Sequence, residues 1–118
     1  MNVFEYAARE EKYFEALAQE SGYERKTTFF SDLSIAECYG IKSIKDTYRR
    51  VKKHWLDDIT YITEFCMCLN WKSWEWGERG NGELTKLYTK LYYELDELIT
   101  SHYESRPNEL EYYYTTTD

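Results

Sequence analysis

The amino-acid sequence predicts an all-α protein, a compact bundle of four or five helices in which two long helices pack antiparallel. Chain breakers are scarce, since one proline and five glycines occur in 118 residues, and this favours long helices. Apolar residues recur at the three- and four-residue spacing of a helix, and no segment shows the alternation of a strand. A hydrophobic content of 42% with 31% charged residues is typical of a globular protein.

The N-terminal segment predicts a first helix over residues 3–21. Asn2 and Glu5 form a plausible capping pair, because each side chain can satisfy the other's free backbone N–H. Gly22 is a natural stop, because glycine enters the left-handed conformation without strain. We expect a loop over residues 22–31.

A short second helix is predicted after that loop. Phe29 and Phe30 are expected to point inward from the loop. Ser34 and Glu37 have the spacing of a capping box, and Gly40 is expected to end the helix.

The middle of the chain allows one long helix or two. Ser43 with Asp46 is a weaker capping box that predicts a helix start. The apolar spacing continues in phase over residues 44–76, which slightly favours one helix. Asp57 and Asp58 can both cap, so a new helix could instead begin there.

The C-terminal part predicts a helical hairpin followed by a short turn. Residues 77–82, GERGNG, contain three glycines and form the strongest turn signal in the chain. Asn81 can cap the next helix, which is predicted to run to about Tyr103. Residues 106–108 contain the only proline and should break this helix, leaving residues 109–114 as a last short turn.

The length predicts one helical domain over residues 1–118. It divides into an N-terminal helix and loop at 1–26, a helical core at 27–104 and a C-terminal tail at 105–118. The predicted core consists of Phe4, Phe14, Leu17, Ile44, Tyr48, Val51, Ile62, Phe65, Leu69, Leu87, Leu91 and Leu95.

The formal net charge of −7 is unevenly distributed. Residues 42–53 hold six bases against one acid, or +5, whereas residues 1–41 and 54–118 carry −4 and −8. The net charge of the whole chain therefore does not predict whether a binding partner is acidic or basic.

Cysteine usage and the first residues indicate the compartment. Three cysteines, an odd number, argue against a disulfide framework and for a reducing environment. The acidic start excludes a secretory signal, and no run of 18 apolar residues occurs. We expect a cytoplasmic protein.

No pattern in the sequence predicts catalysis, a metal or a cofactor. Cys66 and Cys68 would lie about 200° apart on a helix, so they cannot share a metal and are better explained as small buried hydrophobes. Two isolated histidines give no signature of a nucleophile with its base, and the GERGNG turn lacks the spacing and lysine of a phosphate-binding loop. We expect a protein that is not an enzyme.

Residues 33–55 resemble a degenerate helix-turn-helix. Ala36 and Gly40 lie where that motif places its small residue and its turn glycine, but Asp46 and Arg49 occupy positions that should be apolar. The protein as a whole is acidic and would also repel the phosphates of DNA. A basic helix face that is simply exposed to water is therefore the simpler interpretation of this segment. A DNA-binding role would use Lys45, Arg49, Lys52 and Lys53.

Aromatic residues are the most unusual part of the composition, with 13 Tyr, five Phe and four Trp. Trp71 and Trp74 are one helical turn apart, but Trp76 lies on another face, so some of these indoles either pack in the core or form a contact surface. Three successive tyrosines at residues 112–114 cannot all be buried. The predicted protein-binding residues are Trp71, Trp74, Trp76, Glu94, Asp96 and Glu97.

Four segments carry a resemblance to a known family: TTFFSDLSIAECYGIKSIKDTYRRV, ITEFCMCLNWKSWEW, ELTKLYTKLYYELDE and the terminal YYYTTTD. Over residues 27–118 the chain is similar to a family of short uncharacterised proteins encoded on conjugative elements and phages of gut bacteria. The resemblance implies a bacterial or phage cytoplasm and a role as accessory cargo of a mobile element. Small acidic proteins in that setting are often inhibitors of host defence nucleases.

Two functions follow as expectations. The first is a non-enzymatic accessory that binds a protein partner and acts as an acidic inhibitor of a host defence system, with a homodimer allowed by the surplus aromatics. The second is a DNA-associated regulator that uses the basic segment. Neither requires a cofactor or a membrane.

Overall fold

The computed structural model describes residues 2–117, and this range contains six α-helices and no β-strand. The all-α prediction is confirmed, whereas the predicted number of four or five helices is too low. The helices are α1 (Val3–Ser21), α2 (Phe29–Tyr39), α3 (Ile41–Trp55), α4 (Ile59–Glu78), α5 (Gly82–His102) and α6 (Pro107–Thr117).

Contacts within the chain group it into two compact units, Met1–Arg50 and Val51–Asp118. The first contains α1, α2 and most of α3, and the second contains the end of α3 with α4 to α6. The organisation as one domain stays a prediction.

In the first unit, α1 packs against α2. The predicted start and end of α1 are confirmed: Asn2 Oδ1 accepts a hydrogen bond from Glu5 N at 2.8 Å, and Gly22 takes φ 70° at the C-cap. Arg25 ties the following loop to α1, since its guanidinium donates to Glu11 Oε1 at 2.9 Å. Tyr6 Oη donates to Glu37 Oε1 at 2.8 Å and joins the start of α1 to α2.

The second helix begins at Phe29, five residues before the predicted capping box. The Phe29 N–H is satisfied by Thr27 Oγ1 at 3.2 Å, and the Phe30 ring packs on Phe14 with centroids 4.9 Å apart. Ser34 lies inside the helix and donates to Phe30 O at 3.0 Å, so it does not cap. The inward orientation predicted for the two phenylalanines is confirmed by their burial.

Gly40 ends α2 as predicted, but α3 begins at Ile41 rather than at the Ser43 box. Gly40 has φ 109°, a conformation that only glycine adopts without strain. This one residue turns the chain, and its carbonyl accepts the first helical bond of α3 from Ile44 N.

The in-phase spacing over residues 44–76 does not produce one helix. The chain breaks after Trp55, and Asp58 takes an extended conformation in which its side chain accepts from Tyr61 N at 3.1 Å. The Asp58 cap stabilises the new helix start, because it satisfies a backbone donor that the interruption leaves without an intrahelical partner. The slightly favoured single helix is wrong, and the alternative start near Asp57 and Asp58 is confirmed.

In the second unit, α4 packs against both α5 and α6. Helices α4 and α5 contain 20 and 21 residues and form an antiparallel hairpin through residues 79–81. Asn81 caps α5 as predicted, accepting from Leu84 N at 3.0 Å. The predicted terminal turn is longer than expected, since α6 runs over Pro107–Thr117.

Ten of the twelve predicted core residues are buried. Phe4 is wrong, with 79% of its surface exposed, because it lies in the first turn and about 80° round the axis from Phe14. Leu17 is half-buried.

Candidate functional site

The three tryptophans of the predicted binding set have different surroundings. Trp71 is buried with 7% exposure, and Trp74 is exposed to 50%. Trp76 is half-buried, with the Arg79 guanidinium 5.1 Å from its ring centroid. Only Trp74 presents a large part of its ring to solvent.

The three predicted carboxylates also differ. Glu94 and Glu97 are exposed on α5, whereas Asp96 is half-buried and accepts a hydrogen bond from the Tyr113 hydroxyl. Asp96 therefore helps to hold α6 on α5, and only Glu94 and Glu97 of the three carboxylates are exposed to solvent.

Trp74 and Glu94 lie at different heights on the α4–α5 hairpin. Trp74 is four residues before the end of α4, and Glu94 is twelve residues after the start of α5. With a rise of about 1.5 Å per residue, the two positions are about 12 Å apart along the hairpin. The predicted binding residues consequently do not form one cluster.

Two exposed tyrosines that sequence reasoning did not select contribute to the same part of the surface, one on α5 next to Glu94 and one on α6 in contact with Thr100 of α5. Tyr93 is exposed to 59% and Tyr114 to 42%. Tyr93 and Thr100 lie one turn before and after Glu97 on α5, and Tyr114 Oη donates to Thr100 Oγ1 across the two helices at 3.4 Å. We call Tyr93, Glu94, Glu97, Thr100 and Tyr114 the tyrosine–carboxylate face.

A sequence signal for this face exists in the spacing of α5. Positions 93, 97 and 100 carry the polar side of the helix at i, i+4 and i+7, opposite its apolar stripe. Tyr114 could not have been added from the sequence, because its place depends on how α6 folds back.

The charge around the face is strongly negative. Residues 94–118 contain seven acids and one base, or −6. The two lysines of α5, Lys86 and Lys90, come earlier in the helix. Glu94 and Glu97 have no ion-pair or hydrogen-bond partner among residues 2–117, so their charges are available to a partner.

A buried chain of three polar groups lies beneath the face. Tyr113 donates to Asp96, and Cys66 Sγ lies 3.4 Å from Tyr113 Oη, so the thiol is the donor of that second contact. Burial raises the pKa of the Cys66 thiol to about 12 and raises the pKa of Tyr113 as well. Because a nucleophilic cysteine needs a lowered pKa, this geometry anchors α6 to α4 and α5 and does not activate the thiol.

A second polar anchor joins the end of α5 to the break between α3 and α4. The Tyr103 hydroxyl donates to the Leu56 carbonyl, and His102 Nε2 lies 2.7 Å from Asp57 Oδ1. Burial is the main cause that raises the pKa of Tyr103 to about 12. The non-helical turn at residues 56–58 is therefore fixed from outside as well as by its own cap.

Helix α4 carries a polar face that is completely buried, and the sequence pattern did not reveal it. Glu64, Lys72 and Glu75 are all 0% exposed and lie within about 80° of one another around the helix. Lys72 Nζ lies 3.2 Å from Glu75 Oε1, and the Arg79 guanidinium lies 3.3 Å from Glu75 Oε2. The attraction between the partners offsets part of the desolvation cost that each of these buried charges carries.

The basic residues of α3 form one surface. Lys42, Lys45, Arg49, Arg50, Lys52 and Lys53 occupy about 160° of the helix circumference, and we call them the basic stripe. All are exposed except half-buried Lys52. Asp46, the sole acid of residues 42–53, pairs with Arg49 at 2.7 Å, and Arg50 is close enough to Asp32 of α2 to lower the pKa of that carboxyl against the larger raising effect of burial. The stripe is not in a standard helix-turn-helix, because such a motif has a turn of three or four residues and only Gly40 separates α2 from α3.

Across residues 2–117, no group of three or more His, Cys, Asp or Glu side chains is arranged to hold a metal ion. The helices of this range are too short or too polar to cross a bilayer.

A comparison of the chain with protein-family models, with curated proteins and with solved structures gives no match.

Proposed function

We propose that this protein is a non-enzymatic accessory that binds another protein through the tyrosine–carboxylate face. One observation carries the proposal: Tyr93 precedes Glu97 by one turn of α5 and is exposed to 59%, and Tyr114 of α6, exposed to 42%, reaches Thr100 one turn after Glu97. Exposed tyrosines that flank unpaired carboxylates are unusual on a surface that only faces water, since tyrosine is enriched where proteins make contact.

The chemistry of the face favours a partner surface that presents arginine or lysine. Glu94 and Glu97 can accept charge-assisted hydrogen bonds from a guanidinium. The Tyr93 and Tyr114 rings can also hold a cation against their faces. The net charge of −6 over residues 94–118 would speed the encounter with such a partner.

The biological setting of the proposal comes from the resemblance described above. In the cytoplasm of a bacterial host, an acidic protein carried by a mobile element would serve that element by occupying the basic nucleic-acid channel of a defence protein. Glu94 and Glu97 lie one helical turn apart, roughly 5–6 Å, a spacing that suits cationic side chains arranged for a phosphate backbone.

Affinity capture from the host tests this function with two matched variants. The face variant combines Tyr93→Ser, Glu94→Gln and Glu97→Gln. The control variant combines Phe4→Ser, Glu15→Gln and Glu20→Gln, which remove one exposed aromatic ring and two exposed carboxylates of α1. We expect wild type and control to retain the same partner and the face variant to lose it; identical retention by all three would reject the face.

A DNA-associated regulator is the second candidate, and the basic stripe is the observation that favours it. Duplex binding through the stripe would weaken steeply as salt rises, because each neutralised phosphate releases counterions. The substitutions Lys45→Gln, Arg49→Gln and Lys53→Gln should then reduce both the affinity and the salt slope in a gel-shift titration. Equal affinity of wild type and variant would remove this candidate.

A further inference from the structure

The basic stripe of α3 has exposed cations that no described side chain neutralises. Lys42, Lys45 and Lys53 have no ion-pair or hydrogen-bond partner among residues 2–117. The opposite side of α3 is buried through Ile44, Tyr48 and Val51. The helix is therefore held by its apolar side while its cations project into solvent.

Lys42 and Lys53 are eleven residues apart, so the stripe extends over about 16 Å. Exposed carboxylates at Glu94, Glu97 and Glu104 cover a similar length of α5 and the turn after it, about 15 Å. The two surfaces thus have opposite charge and comparable extent.

The charge of the rest of the chain limits which anion the stripe can accept. The stripe segment carries +5 and the whole chain −7, so all other residues together carry −12. A nucleic-acid duplex presents one charge per about 1.7 Å along its axis and would be repelled by that remainder. A protein surface with a local acidic patch meets the stripe with far less repulsion, and each copy of this chain contains such a patch.

We propose that the basic stripe of one copy docks on the tyrosine–carboxylate face of a second copy. This inference shares that face with the proposed function but needs no other protein, so the two can fail separately. Because the two contact surfaces are different, the association is heterologous: each copy can offer one surface and accept the other.

The purified full-length chain tests the proposal by sedimentation and light scattering over a dilution series. At about 0.1 M salt the Debye length is about 10 Å, so the long-range repulsion between two acidic chains is screened while close ion pairs remain effective. At about 1 M salt the Debye length falls to about 3 Å, and the ion pairs are screened as well. Wild type should associate with increasing concentration at the lower salt and dissociate at the higher. A wild type that stays monomeric at both would overturn the inference.

Two charge-reversed variants identify the surfaces. The stripe variant combines Lys42→Glu, Lys45→Glu and Lys53→Glu, and the reversed-face variant combines Glu94→Lys and Glu97→Lys. Each alone should weaken association about tenfold or more. An equal mixture should associate again, because the stripe variant keeps an intact face and the reversed-face variant keeps an intact stripe. A mixture of folded variants that remains monomeric contradicts the proposal.

A third variant controls for net charge. Lys12→Glu, Lys26→Glu and Lys86→Glu change the total charge by the same amount as the stripe variant and lie outside both the stripe and the tyrosine–carboxylate face. This variant should associate like wild type. Loss of association would show that the total charge, rather than the stripe, determines whether two copies bind each other.

Circular dichroism checks that each variant is folded. If the stripe variant does not fold, Lys→Gln replacements at positions 42, 45 and 53 take its place. Salt-sensitive duplex binding by a monomeric wild type would assign the stripe to nucleic acid and reject the second copy.

Discussion

The Tyr113 hydroxyl links α6 to two other helices. It contacts Cys66 of α4 and Asp96 of α5, and the residue is completely buried. Tyr113→Phe keeps the ring but removes both contacts, so we expect a loss of about 1–2 kcal/mol of unfolding free energy in urea denaturation. The control Tyr114→Phe removes a hydroxyl that is exposed and should cost much less; equal losses would contradict the role assigned to Tyr113.

The cysteines should differ in reactivity toward a thiol reagent. Cys38 is exposed, whereas Cys66 and Cys68 are buried, and burial raises the pKa of Cys66 to about 12. One thiol per chain should react quickly near neutral pH and two only after unfolding. The substitution Cys38→Ser should abolish the fast phase, and a fast phase that survives it would show that the buried thiols are accessible.

Individual side chains were the least predictable part of this protein. Asp96 and Glu97 are adjacent and alike in sequence, yet α6 covers one and leaves the other in water. Trp71 and Trp74 show the same separation into a buried and an exposed ring. Side-chain exposure on a helix depends on which neighbour packs there, and local spacing does not contain that information.

The helices themselves were better predicted where a cap and a glycine agree. The limits of α1 and the start of α5 follow from Asn2, Gly22 and Asn81. The start of α2 was mispredicted because Thr27 satisfies the Phe29 N–H and Phe30 packs on Phe14, and both contacts favour a helix that begins before the Ser34 box. The break before Asp58 was mispredicted because an apolar period can remain in phase across a three-residue interruption.

Two glycines provide a matched test of how the helices are joined. Gly40 has φ 109°, so Gly40→Ala should lower the unfolding free energy by more than about 1 kcal/mol. Gly82 is the first residue of α5, and a Cβ placed there meets open space. Gly82→Ala should be neutral or stabilising by up to about 1 kcal/mol. Urea denaturation of both variants measures these changes in unfolding free energy. A Gly40→Ala protein as stable as wild type would show that the turn does not require glycine.

Stability should fall in the alkaline range, and the groups responsible lie in the second unit. Cys66 and Tyr103 have pKa values raised to about 12, and Tyr113 is raised too. All three are neutral when protonated, so their contribution to stability is complete below the lower pKa of the unfolded chain and is lost as pH rises toward the folded value. The unfolding free energy should decline between about pH 9 and pH 12.

Urea midpoints measured across this alkaline range check the decline. Tyr103→Phe removes one of the ionising groups and should make the decline shallower than in wild type. At pH 11 the ionised form of an exposed tyrosine would outnumber its neutral form about tenfold. A urea midpoint that stays constant up to this pH would contradict the burial of these groups.

The chain as a whole combines a strongly acidic C-terminal part with one basic helix and a surplus of exposed aromatic rings. The all-α class was predicted from the sequence and is confirmed for residues 2–117. Phe4, Tyr39, Trp74, Tyr93 and Tyr114 are exposed. Which exposed rings lie near the free carboxylates of α5 could not be predicted, because the position of Tyr114 depends on how α6 folds back.

A photoreactive phenylalanine analogue placed at position 93, in cells of the bacterial type proposed as the host, tests the proposed binding face most directly. We expect one discrete adduct with a second protein that disappears when Glu94→Gln and Glu97→Gln are added, and no such adduct from the same analogue at exposed position 4. A homodimer adduct, identified by mass, would instead report the association of two copies. Absence of any adduct at position 93, or an adduct that the two carboxylate substitutions do not change, would contradict the claim that this face binds a partner.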